Sequence, residues 1–108
     1  MNSKNRRVMF LRDKDYQPVG CLVISVSQKT NKVRYQFSVR NPVDHFKRDL
    51  ARHIALGRLI EKPIVAGVSS TNDDWDAIVR MVMENLSSNE EAPTRAIKAA
   101  KNWLTWRV

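Results

Sequence analysis

Cysteine is nearly absent from this chain. Cys21 stands alone among 108 residues, so no disulfide can form within it. Glycine is as scarce: Gly20, Gly57 and Gly67 are scattered, and none belongs to a glycine-rich loop able to cradle a phosphate. Histidine occurs twice, at His45 and His53. No run of about 18 apolar residues exists, which excludes a membrane-spanning helix. No apolar run of the length that a secretory signal needs follows the N-terminus. These absences predict a cytoplasmic protein with no membrane partner.

What the chain does contain is charge, and the charge is segregated. Residues 1–62 hold 14 Lys/Arg against 5 Asp/Glu, residues 63–93 hold 1 against 6, and residues 94–108 hold 4 against none. The blocks carry +9, −5 and +4, giving the net +8 of the whole chain. A basic body, an acidic middle and a basic tail form an electrostatic surface suited to polyanionic partners. An apolar content of 43% is enough for one modest core, so residues 1–108 are expected to form a single domain.

Residues 6–12 read as a first strand and residues 19–27 as a second, the latter dense in β-branched side chains. Residues 28–32 are a polar hairpin loop. The third strand has the clearest period: Val33, Tyr35, Phe37 and Val39 alternate with Arg34, Gln36, Ser38 and Arg40. Asn41-Pro42-Val43-Asp44 is a strong helix start, and Pro63 is a stop, which predicts a helix over 42–62. On a wheel of 100° per residue, Val43, Phe46, Leu50, Ile54 and Gly57 share one stripe. That stripe is expected to cover the Val33-Tyr35-Phe37-Val39 face. Lys47, Arg48, Arg52, Arg58 and Lys62 lie opposite, with Ala51 and Ala55 among them.

Residues 64–70 fit a short fourth strand or a packed linker equally well. Thr71-Asn72-Asp73-Asp74 has capping-box character, and a helix over 73–86 places Trp75, Ile78, Val79, Val82, Met83 and Leu86 on one face. Asp73, Asp76 and Glu84 lie on its other side. A last helix over 94–106 turns Ala96, Ile97, Ala100, Trp103 and Leu104 inward and Arg95, Lys98 and Lys101 outward, with Trp106 off its apolar face. The expected fold is therefore α+β: a three-stranded antiparallel meander across residues 6–40, a long amphipathic helix, and two further helices.

Catalysis finds little support. His45 and His53 are about 80° apart on their helix, and His53 reads as a packed histidine at the edge of the apolar stripe. Cys21 sits in an apolar strand and reads as a small buried hydrophobe. Asp73, Asp74 and Asp76 are explained by the dipole of the helix they begin. No metal and no cofactor is expected. The cations carry the strongest signal: Arg34, Arg40, Lys47, Arg48, Arg52, Arg58, Lys62, Arg95, Lys98 and Lys101 are the candidate nucleic-acid contacts, suited to phosphates rather than to base edges. Trp106 is a candidate stacking or partner-contact residue.

Three segments carry a resemblance: Pro18-Val19-Gly20-Cys21, then Asn41-Pro42-Val43-Asp44-His45-Phe46, then Ile54-Ala55-Leu56-Gly57-Arg58-Leu59. Over residues 8–62 the chain resembles a type of small uncharacterised protein of tailed bacteriophages and prophages. The resemblance implies an accessory protein acting in a bacterial cytoplasm and brings no defined activity. The order of three strands followed by a helix is similar to that of double-stranded-RNA-binding and integrase-type domains in topology alone. The expected function is a non-catalytic, basic module that binds the phosphate backbone of DNA or RNA. The alternative is a protein-binding regulator or inhibitor of a host enzyme, and a small nuclease-like enzyme comes third. A homodimer is compatible with the charge blocks.

Overall fold

The apolar run at residues 19–24 is buried on both sides, and that fact organises the molecule. The computed structural model describes residues 5–41, 45–70 and 73–106. In it the run belongs to β2 (Pro18–Val26), which lies between β1 (Arg6–Arg12) and β3 (Lys32–Val39). A fourth strand, β4 (Ile64–Val68), pairs with β3. All neighbouring pairs are antiparallel and the order is β1-β2-β3-β4, so the expected meander gains one edge strand. A strand covered on both faces needs side chains that are apolar without alternation, which β2 supplies.

Helices cover both faces. The helix α1 (Arg48–Glu61) lies on one, and α2 (Trp75–Ser87) with α3 (Thr94–Trp106) lies on the other. The larger core gathers Leu22, Ile24, Val33, Tyr35 and Phe37 under Val82, Met83, Leu86, Ala100 and Trp103. Between Leu11 and Arg12 the register shifts and leaves Val19 as an extra residue on β2, which turns Val19 onto the same face as Leu22 and Ile24. Gly20 follows at once. A Cβ there would lie 2.1 Å from the main-chain oxygen of Ser38, so only glycine lets β2 and β3 approach at this point.

The second core is small: Cys21 and Val23 from β2 meet Ala55 and Leu59 from α1. This reverses the expected packing. The Val33-Tyr35-Phe37 face lies under α2 and α3, and α1 covers the polar face of β3 instead. Leu50 is 53% exposed and Ile54 37%, Gly57 faces solvent, and Phe46 is half-buried. Ala51 and Ala55, expected among exposed cations, point inward. The cause lies in β3. Ser38 and Gln36 need partners, and α1 provides main-chain oxygens: Ser38 Oγ donates to Ala51 O and Gln36 Nε2 to Lys62 O, both at 2.7 Å.

Helix boundaries also shift. α1 begins at Arg48 after the non-helical residues 45–47, and its N-cap Lys47 makes no side-chain cap bond. Pro42, Val43 and Asp44, read as the helix start, lie outside the described residues. Asp74 caps α2 by accepting from the Ala77 N–H at 2.9 Å, while Asp73 accepts from the Ser70 N–H. Thr71 and Asn72 also lie outside the described residues. The inward face of α2 is the expected one, from Ile78 to Leu86. Among the described residues, no helix is long and apolar enough to cross a membrane.

Candidate nucleic-acid interface

The rotation of α1 redistributes the predicted cations. Arg48 points toward the sheet, with its guanidinium 5.2 Å from the Phe10 ring centre. Arg52 approaches Cys21, whose thiol burial pushes up to about 11 against the opposing pull of the Arg52 charge. Arg58, on the other flank, donates from Nη1 to Phe37 O at 2.9 Å. The expected row of Lys47, Arg48, Arg52, Arg58 and Lys62 is thus divided between two flanks of α1. Arg34 is exposed on the sheet face that α1 covers. Arg95 donates from Nη1 to Arg40 O at 2.9 Å, which places both residues in the joint between β3 and α3.

The cations that do converge lie around the β1–β2 turn and α3. The turn is tightly held: Asp13 Oδ1 accepts from the N–H groups of Asp15 and Gln17, both at 2.9 Å. The Tyr16 N–H donates to Asp13 O at 2.9 Å, and Arg12 Nη1 donates to Tyr16 O at 3.0 Å. Tyr16 itself has φ of 65°, a left-handed conformation that bulky side chains seldom adopt. The residue is 62% exposed, and its ring stands 5.3 Å from the Trp106 ring, centre to centre, at 57°. Trp106 is 45% exposed, and the Arg12 guanidinium lies 4.5 Å from the centre of the Tyr16 ring. The hydrogen bonds of the turn hold this strained conformation of Tyr16 in place.

Two clefts open on this ledge. One, of about 630 Å³, runs between the outer edge of β1 and α3, past Lys14, Tyr16, Trp103 and Trp106. The other, of about 510 Å³, is bordered by Lys14, Arg95, Lys98 and Lys101. They share Lys14 and Ala99, so they form one surface. At 100° per residue, Arg95, Ala99, Asn102 and Trp106 fall on a single stripe of α3 that faces the turn. Lys98, Lys101 and Trp106, read from the sequence as lying off the apolar face of the last helix, are all exposed. Sequence reasoning missed Arg12, Lys14 and Tyr16, whose only signal is an aromatic residue set among charges in a turn. Such a ledge can stack a base and hold the neighbouring phosphates.

The remaining candidates do not converge. His45 and His53 are exposed, so the reading of His53 as packed is corrected. Cys21 is fully buried, as expected. Among the described residues no group of three or more His, Cys, Asp or Glu is arranged to hold a metal ion. Compared with known protein families, curated proteins and solved structures, the chain finds no match.

Proposed function

We propose that the protein is a non-catalytic nucleic-acid-binding module that engages single-stranded DNA or RNA on the ledge formed by the β1–β2 turn and α3. The observation that carries this reading is the exposed Tyr16–Trp106 pair, 5.3 Å apart, in a cleft with Arg12 and Lys14 that adjoins a second cleft bordered by Lys98 and Lys101. Rings supply stacking to any base, and the cations supply affinity for phosphate without reading sequence. Asp13 and Asp15 also border the second cleft, where Lys14, Arg95, Lys98 and Lys101 outnumber them. The further reading as a phage or mobile-element accessory rests on the sequence of residues 8–62 alone.

Tryptophan emission tests the reading. Adding single-stranded oligonucleotides at low salt is expected to quench the parent protein, and Trp106→Phe is expected to remove most of that change. An oligonucleotide that binds with no effect on Trp106 emission, and equally well to Tyr16→Ala, contradicts the ledge as the site.

The second reading, a protein-binding regulator of a host enzyme, draws on a different surface. Leu50, Ile54 and Ile60 are exposed together on α1, and an apolar helix face is the usual mark of a protein contact.

A further inference from the structure

The outer arc of α1 is unlike the rest of this basic surface. Ile60 is 80% exposed, and Leu50 and Ile54 accompany it on the half of the helix turned away from the sheet. That half carries Asp49 and Glu61 and no Lys or Arg, because the cations lie toward the sheet or at the flanks. Gly57 occupies its middle, and a Cβ there would meet nothing within 4 Å. A mid-helix glycine costs helix stability relative to alanine. Among the described residues, no turn, no close contact and no packing requires it.

We propose that this arc is a homodimer interface, in which α1 packs antiparallel against α1 of a second copy with the two-fold axis at Gly57. Three features fit a second copy better than another partner. The absence of a Cβ at the crossing lets the two backbones approach closely. Ile54 and Ile60 lie about 4.5 Å to either side of Gly57 along the helix axis, so the two-fold brings Ile54 of one protomer level with Ile60 of its partner. Such a contact is isologous, each copy offering the same patch. The arc adjoins a cleft of about 240 Å³ beside Leu50 and Ile54, lined by Val39 and Phe46 and also by Arg40, His45 and Lys47.

Charge argues the same way. On a chain of net +8 a self-contact is favoured where cations are fewest, and the outward half of α1 carries Asp49, His53 and Glu61 but no Lys or Arg. A polyanion would meet Asp49 and Glu61 first. In the antiparallel pair, each Glu61 instead lies within about 8 Å, along the axis, of Arg58 of the other copy. A contact along three helical turns is at the small end of specific interfaces, so the dimer dissociates on dilution.

Sedimentation velocity from low micromolar to near-millimolar protein tests this. The sedimentation coefficient is expected to rise with concentration from monomer toward dimer. Ile60→Glu is expected to remain monomeric throughout while keeping the parent circular dichroism spectrum. Gly57→Ala separates the proposal from a purely structural role: it should raise the thermal midpoint of the dilute protein and reduce the dimer fraction. Gly57→Cys should give a disulfide-linked dimer under mild oxidation, since Cys21 is buried and does not compete. A parent that stays monomeric at the highest concentration overturns the proposal, as does a dimer that Ile60→Glu leaves intact.

Discussion

Arg58 donates to the main-chain oxygen of Phe37 at 2.9 Å, and this bond helps fix which side of α1 meets the sheet. It joins the Ser38–Ala51 and Gln36–Lys62 bonds in tying the helix to the polar face of β3. Leu59, inside the small core, and Leu50, outside it, then differ in consequence. Leu59→Ala is expected to cost about 2–5 kcal/mol and Leu50→Ala under about 1 kcal/mol, measured by urea denaturation. The opposite order would return α1 to the orientation that its Leu50–Ile54 stripe predicts.

That inversion shows where the sequence was readable. The β3 pattern and the inward face of α2 follow from period and capping, because their apolar residues fall on one side only, whereas β2 follows from its apolar run, dense in β-branched side chains. α1 is ambiguous. Leu50 and Ile54 mark one stripe while Ala51, Ala55 and Leu59 mark the other, and only the hydrogen-bond needs of Gln36 and Ser38 decide between them. Those needs depend on tertiary pairing that a periodicity cannot express. The unbroken apolar run 19–24 was a readable signal of helices on both faces. On the candidate site, Trp106 was legible from its place off the α3 face, whereas Tyr16 depends on a turn conformation that composition does not encode.

Gly20 is expected to be the least replaceable glycine. A Cβ would fall 2.1 Å from the Ser38 oxygen, which is backbone and cannot rotate away. Gly20→Ala must push β2 from β3 and is expected to cost at least about 4 kcal/mol, in the range reserved for severe backbone disruption. An alanine variant with the parent's denaturation midpoint would contradict this placement.

Tyr35 donates from its hydroxyl to Asn85 Oδ1 at 2.6 Å, linking β3 to α2 across the main core. Tyr35→Phe leaves the Asn85 acceptor without this donor and is expected to cost about 1–3 kcal/mol. Equilibrium denaturation of Tyr35→Phe beside a Tyr35→Phe/Asn85→Leu double variant checks the coupling. Independent, additive losses would exclude it.

Alkaline pH is expected to destabilise the fold. Burial pushes the Cys21 thiol up to about 11 and the Tyr35 phenol up to about 12, with an Asn89 hydrogen bond opposing the latter. Both groups are neutral when protonated, and the folded state holds their protons more tightly than the unfolded chain. Their contribution is complete below an unfolded thiol value of about 8.5 and declines as pH rises through the folded values. Thermal midpoints measured from pH 7 to 11 should stay level and then fall, and the native thiol should resist a disulfide reagent at pH 8. A midpoint that climbs above pH 10 would contradict the assignment.

Tyr16 is expected to show a trade-off. Its φ of 65° strains a tyrosine but suits asparagine. Tyr16→Asn should hold the thermal midpoint at or above that of the parent while weakening oligonucleotide binding. A variant that loses stability and affinity together would make Tyr16 a structural residue of the turn.

Binding of nucleic acid on the α3 ledge is the step on which the proposed function depends. Its most direct test is the affinity for a labelled single-stranded oligonucleotide measured across a salt series for four proteins: the parent, Trp106→Ala, Lys98→Glu/Lys101→Glu, and Arg48→Glu/Arg52→Glu. The parent should give a straight log–log line of negative slope. Trp106→Ala should weaken binding by about 1–3 kcal/mol with an unchanged slope, as removal of one stacked base requires. Lys98→Glu/Lys101→Glu should flatten the slope by about 2 or more, one for each phosphate that the variant no longer neutralises. Arg48→Glu/Arg52→Glu, on the opposite face of the sheet, should follow the parent far more closely. No binding by the parent at low salt, or weakening confined to the Arg48/Arg52 variant, would contradict the account.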